Sequence, residues 1–143
     1  MTTPLEKVLY TAVGTATHGR DGRAKSDDGK LDVALDPPPA LGGKGTGTNP
    51  EQLFAAGYAA CFGSAVSYIA RLQKLPLESA TVTAHVSIGP IPGGKRFGLA
   101  VKLDVDLKGL ERDKAEQLMA MAHEACPYSN ATRGNIDVTL NLI

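Results

Sequence analysis

Apolar and polar positions alternate over several short stretches of this chain and recur with helical spacing over two longer ones. Residues 5–17 alternate loosely through Val8, Leu9, Tyr10, Thr11 and Val13, which predicts a strand. The polar, Gly-rich run from His18 to Arg23 predicts a loop. Asp28-Gly29 is a hairpin signal leading into a second strand through Leu31, Val33 and Leu35, which Pro37, Pro38 and Pro39 stop. Glu78 to Ile91 alternates through Val82, Ala84, Val86 and Ile88. Phe97 to Leu107 alternates most cleanly, with Lys102, Asp104 and Asp106 opposite the apolar set, the mark of a half-buried strand. Ile136, Val138, Leu140 and Leu142 form a last alternating strand.

Two helices interrupt these strands. The first runs from about Asn49 to Gln73 and ends before Leu75-Pro76. Asn49 is a good N-cap, Pro50 fits the first helical position, Glu51 suits the helix dipole and Gln52 completes a capping box. Leu53 to Ala70 carries no charge, but it is rich in Ala, Gly and Ser and flanked by strand-like segments. That pattern predicts a buried central helix rather than a membrane span. The second helix spans about Glu111 to Ala125, with Leu118, Met121, Ala122 and Ala125 as its apolar stripe, and ends at Cys126-Pro127. The expectation is an α+β protein with mainly antiparallel sheet, one domain over residues 1–143.

Lys plus Arg equals Asp plus Glu at 15 each, which argues against a broad nucleic-acid or acidic-membrane surface. Gly42 to Thr48 resembles a phosphate-cradling loop only in glycine content; it reads as a flexible loop without the Gly-Lys-Ser/Thr ending. Met1 to Pro4 carries no basic region followed by an apolar run, so a cytoplasmic location is expected. In that setting two cysteines, with no Cys-x-x-Cys, point away from a purely structural disulfide.

Cys61 lies mid-helix and Cys126 where a helix meets a proline. The residues alone leave several readings open. Both cysteines suit plain core packing. His123 and Cys126, three apart, share a helical face and with Cys61 make a partial metal set. A Cys-His nucleophile with His123 or His85 as base is a third reading, and an apolar-ligand carrier a fourth. The fifth is a redox pair. Peroxide cleavage needs a thiolate, and a cation is needed to keep a thiol ionised at neutral pH. A second thiol then traps the sulfenic acid before over-oxidation. Arg20, Arg23 and Arg133, all in polar loops, are the candidate cations.

Thr48-Asn49-Pro50-Glu51-Gln52-Leu53-Phe54-Ala55-Ala56-Gly57-Tyr58-Ala59-Ala60-Cys61-Phe62 closely resembles the first cysteine motif of organic hydroperoxide resistance proteins. Ala125-Cys126-Pro127-Tyr128-Ser129-Asn130-Ala131-Thr132-Arg133-Gly134-Asn135 resembles the second. These proteins belong to the osmotically inducible protein C-like (OsmC-like) group, and the resemblance covers essentially the whole chain. It implies an intertwined homodimer, with sheets wrapped around two central helices and two sites at the interface. It implies Cys61 as the peroxidatic cysteine and Cys126 as the resolving one, with Arg20 and Glu51 as their charged partners. The implied substrates are organic and lipid hydroperoxides, the reductant a dihydrolipoyl-bearing protein or other dithiol, and no metal or cofactor takes part. A general stress peroxidase of broader peroxide preference is the neighbouring reading. The loop departs from many relatives in having His18 where they have glycine. Within one helix Glu51 and Cys61 are ten positions, or ~15 Å, apart along the axis. The expected site therefore joins Cys61, Cys126 and Arg20 of one chain with Glu51 of the other.

Overall fold

The computed structural model describes residues 2–143. The chain falls into two compact units, residues 1–50 and 51–143.

The first unit holds a three-stranded antiparallel sheet of β1 (Gly14–Thr17), β2 (Arg23–Ser26) and β3 (Asp32–Ala34), in that order. The β2–β3 hairpin turns at the predicted Asp28-Gly29, where Gly29 takes a φ of 74° and Ser26 and Asp28 hydrogen-bond across the turn. Only residues 14–17 of the predicted first strand are strand here. Leu5, Val8, Leu9 and Tyr10 precede it as exposed chain. β2, read as the end of a loop and the approach to a turn, is a strand because Arg23 pairs with Ala34 and Lys25 with Asp32 across the hairpin. The Gly-rich run before residue 49 is not loose. Asp36 Oδ2 accepts from the Thr46 N–H and hydroxyl, and the Gly45 N–H donates to the Pro37 carbonyl. Gly43 lies against the Pro37 carbonyl, where a side chain has no room.

The second unit begins with α1 (Pro50–Leu72), within one residue of its predicted bounds. β4 (Ser79–Pro90) and β5 (Phe97–Lys108) form a long antiparallel hairpin, and β6 (Val138–Leu142) pairs parallel to β5, so this sheet is mixed. Between β5 and β6 lie α2 (Arg112–Ala125) and a short α3 (Pro127–Thr132). The sequence reading ended at Cys126-Pro127 and did not include α3.

The core follows from period. Every second residue of β5, Val101, Leu103, Val105 and Leu107, is buried, while Lys102, Asp104 and Asp106 face outward. Tyr58, Phe62, Ala65, Val66 and Ala70 of α1 pack into the same cluster. α1 is long and apolar enough in composition to cross a membrane, with mean hydropathy 1.5. Its helical repeat nevertheless separates two faces, since Gln52, Ala56, Ala60, Ser64, Tyr68 and Leu72, four apart, stay exposed. On α2 the buried stripe is Ala115, Leu118 and Ala122 rather than one ending at Ala125, which is exposed. The next place along that stripe, four residues after Ala122, belongs to Cys126.

Leu103 is fully buried at the centre of β5. Leu103→Ala is expected to lower unfolding free energy by about 2–4 kcal/mol, read from urea denaturation; a loss below half of that would mean the site collapses around the void.

Candidate active site

Cys61 follows Tyr58 by three positions and precedes Phe62 by one, so it sits at the margin of the buried face of α1 and is half-buried. Cys126 is fully buried at the junction of α2 and α3. Pro127 has no N–H and disfavours helical ψ in the residue before it. Cys126 accordingly takes a ψ of 123° and serves as the last capped residue of α2, its N–H donating to the Ala122 carbonyl, and as the N-cap of α3. Both cysteines are free, and their sulfurs stand 3.6 Å apart.

The Tyr128 backbone N–H, in the first turn of α3, hydrogen-bonds to the Cys61 sulfur. Such an N–H has no partner inside its own helix and is available to an acceptor. The Tyr128 ring lies against α1 at Gly57, where a Cβ would come 2.9 Å from its hydroxyl. It also meets Phe54 and Tyr58 at centroid separations of 5.8 and 5.6 Å. Gly57 thus lets α3 approach closely.

Burial pushes the Cys61 thiol above its ordinary value; the Tyr128 N–H pulls it down, and Cys126 pushes it up again. Two sulfurs this close cannot both ionise at low cost. These groups alone leave Cys61 mostly a thiol at neutral pH, so a reactive thiolate there requires a cation.

Of the candidate cations, Arg23 is engaged with Asp32 at 2.7 Å. Arg133 hydrogen-bonds the His123 carbonyl and the Asn130 side chain, tying α2 to α3. Arg20 is half-buried in a 3-10 turn, Gly19–Asp21, entered through His18 and Gly19, both at positive φ. His18, at φ 60°, occupies a conformation that glycine adopts at lower cost. Glu51 is half-buried in the first turn of α1, ten residues or ~15 Å from Cys61 along the same helix.

The histidines have other work. His85 Nε2 meets Asp104 Oδ2 at 2.9 Å on the outer face of the second sheet. His123 Nδ1 meets Ser129 Oγ at 2.8 Å, and burial, followed by the Arg133 charge, lowers its pKa. Among the described residues no three His, Cys, Asp or Glu side chains cluster as metal ligands would.

Several site groups were not singled out from sequence: Tyr58, Tyr128, Ser129 and Thr132. Cys126, Ser129 and Thr132 fall three apart, a helical spacing that would have put two hydroxyls on the face of the cysteine. The proline after Cys126 read as a stop hid that helix.

A family model described as "OsmC-like protein" matches residues 43–141. An organic hydroperoxide resistance protein of Xanthomonas axonopodis pv. citri is 55% identical over 139 residues, 96% of each chain. Organic hydroperoxide resistance protein OhrB of Bacillus subtilis is 49% identical over 94% of this chain and 98% of its own. Among solved structures, an organic hydroperoxide resistance protein OsmC of Legionella pneumophila superposes with a TM-score of 0.91 at 51% identity, covering 95% of this chain and 98% of that one. A Vibrio cholerae relative, with captopril in one of its active sites, superposes at 0.90 with 48% identity, covering 96% and 94%.

A disulfide needs its sulfurs at about 2.05 Å, so the pair at 3.6 Å needs only a small side-chain rotation to bond. Mild oxidation with diamide is expected to give an intramolecular Cys61–Cys126 disulfide, seen as one cross-linked peptide by mass mapping and no covalent dimer on a non-reducing gel.

Proposed function

This chain belongs to the OsmC-like family, among its organic hydroperoxide resistance proteins and so to peroxide detoxification, and we propose that it is a two-cysteine thiol peroxidase for organic and lipid hydroperoxides. The observation that carries this reading is the pair of free sulfurs 3.6 Å apart, one half-buried and one buried.

The Cys61 thiolate attacks the terminal peroxide oxygen and the O–O bond breaks. The alkoxide leaves and takes a proton to become the alcohol, and Cys61 becomes a sulfenic acid. The Cys126 sulfur attacks the sulfenic sulfur, forming the disulfide and releasing water. A dithiol, dihydrolipoamide on a carrier protein, then reduces the disulfide by exchange and is itself oxidised. Arg20 supplies the cation that holds Cys61 ionised, and Glu51 orients the guanidinium through a two-point ion pair. Neither metal nor organic cofactor enters the cycle.

The length of α1 supports a shared site. Glu51 cannot reach the sulfur ten residues along its own helix, so the carboxylate at each Cys61 comes from the partner subunit. We further propose that the whole chain works as a single functional domain in an intertwined cytoplasmic homodimer. Two exposed surfaces support the dimer: the stripe of Ala56, Ala60, Ser64 and Tyr68 on α1, and the apolar run through Leu5, Val8, Leu9 and Tyr10. An open cleft of about 310 Å³ beside Phe54, Leu99 and Ile136 supports an apolar substrate.

With dihydrolipoamide supplied, the protein should reduce cumene hydroperoxide faster than hydrogen peroxide. Cys61→Ser should abolish turnover, and Cys126→Ser should permit one turnover before Cys61 over-oxidises. Steady-state activity in Cys61→Ser would exclude the assignment, and equal use of both peroxides would move it to a general stress peroxidase. Sedimentation should report a dimer, converted to monomer by Ala60→Arg; a monomeric parent would refute the shared site.

A further inference from the structure

α3 is only six residues long, yet its inner face is polar. Ser129 is fully buried and Thr132 nearly so. They belong to a chain of side chains crossing three helices. His123 Nδ1 lies 2.8 Å from Ser129 Oγ, Ser129 Oγ 2.8 Å from Tyr58 Oη, and Tyr58 Oη 3.2 Å from Thr132 Oγ1. Thr132 Oγ1 then meets the Ser129 carbonyl at 3.2 Å.

Each hydroxyl owns one proton, and a carbonyl only accepts. Thr132 must donate to the Ser129 carbonyl, so Tyr58 must donate to Thr132. Ser129 then donates to Tyr58, and His123 donates to Ser129 from Nδ1. The chain runs one way, and neutral His123 is left as the Nδ1–H tautomer with Nε2 free to accept. Ser129 is the one member bonded through its side chain to both α1 and α2. No buried side-chain polar atom among the described residues lacks a partner, so removing one member strands its neighbours.

What Ser129 anchors is the stretch that serves Cys61. Cys126, Pro127, Tyr128 and Ser129 are consecutive: the first carries the sulfur at 3.6 Å and the third carries the N–H on Cys61. We propose that Ser129 is a positioning residue for Cys126, holding the α2–α3 corner against Tyr58 so that the second sulfur stands ready to trap an oxidised Cys61. This rests on the two-cysteine reading above. It goes beyond that reading in assigning the speed of the resolving step to a hydroxyl that touches neither sulfur nor substrate.

The test separates closure of the disulfide from attack on peroxide. In a single turnover with cumene hydroperoxide, Ser129→Ala should slow oxidation of Cys61 only slightly, through a loosened Tyr128 N–H, and far less than it slows closure. Disulfide formation should slow by about tenfold, the scale set by losing one buried hydrogen bond and the geometry it holds. Intact mass should show more sulfinic acid on Cys61. Tyr58→Phe, which keeps the ring and removes only the hydroxyl, should shift the same partition in the same direction and serves if Ser129→Ala does not fold. Val105→Ala, which loosens the same core without touching the hydroxyls, should lower stability and leave closure unchanged.

A second trigger needs no peroxidase. Oxidised glutathione loads Cys61 as a mixed disulfide, and attack by Cys126 forms the protein disulfide and expels reduced glutathione. Slower closure in this assay, with a parent inert to peroxide, would sustain the positioning role and sink the peroxidase reading. Closure within twofold of the parent in both hydroxyl variants, under either trigger, would overturn the proposal.

Discussion

The break in the chain at Pro127 controls how the two sulfurs meet. α2 buries Ala115, Leu118 and Ala122 along one stripe, and Cys126 takes the next place on it. An uninterrupted helix would keep the following N–H groups inside its own ladder. Proline has no N–H and turns the preceding residue out of helical ψ, so α3 starts afresh. Its first turn has N–H groups to give away, and the Tyr128 N–H goes to Cys61. The same turn lays Ser129 and Thr132 against Tyr58 of α1. Arg133 closes the corner by reaching back to the His123 carbonyl.

Geometry and ionisation are separate problems at this site. The neighbours described around Cys61 solve the first: a rigid α1, a glycine that admits the Tyr128 ring, and a second sulfur at 3.6 Å. They work against the second, because burial and the nearby Cys126 both raise the Cys61 pKa, opposed by one backbone donor. A protonated thiol is a poor nucleophile, and a nearby cation favours its thiolate. Arg133 and Arg23 are committed to structural partners. Arg20, the cation that the family resemblance implies, lies in a 3-10 turn entered through His18 at positive φ.

The packing of residues 51–143 rests on two periods meeting. β5 supplies four buried side chains at period two, and α1 supplies Tyr58, Phe62, Ala65 and Val66 at helical period. The opposite side of α1 remains small and exposed, which admits close approach of another backbone.

Much of this was legible in the chain. Strong period-two alternation placed β4, β5 and β6 within two residues of their ends, and the Asn49-Pro50 start placed α1 within one. Local pattern failed where the signal was weak or contradictory. Residues 5–12 alternate, yet pair with no strand among the described residues, because pairing depends on what lies beside a segment. Pro127 read as an end concealed α3, since a proline that stops one helix is equally suited to begin another. The parallel pairing of β6 could not be read either, because direction is set by the path of α2 and α3 rather than by side-chain alternation. By itself the sequence determined the family, the element types and the chemical candidates, because motifs and periodicity are local. Tertiary structure alone decided that two sulfurs 65 positions apart lie at 3.6 Å. It also decided that Arg133 caps a helix and that a serine, a tyrosine, a threonine and a histidine share protons across three helices. Those contacts depend on how helices stack, which no local spacing encodes.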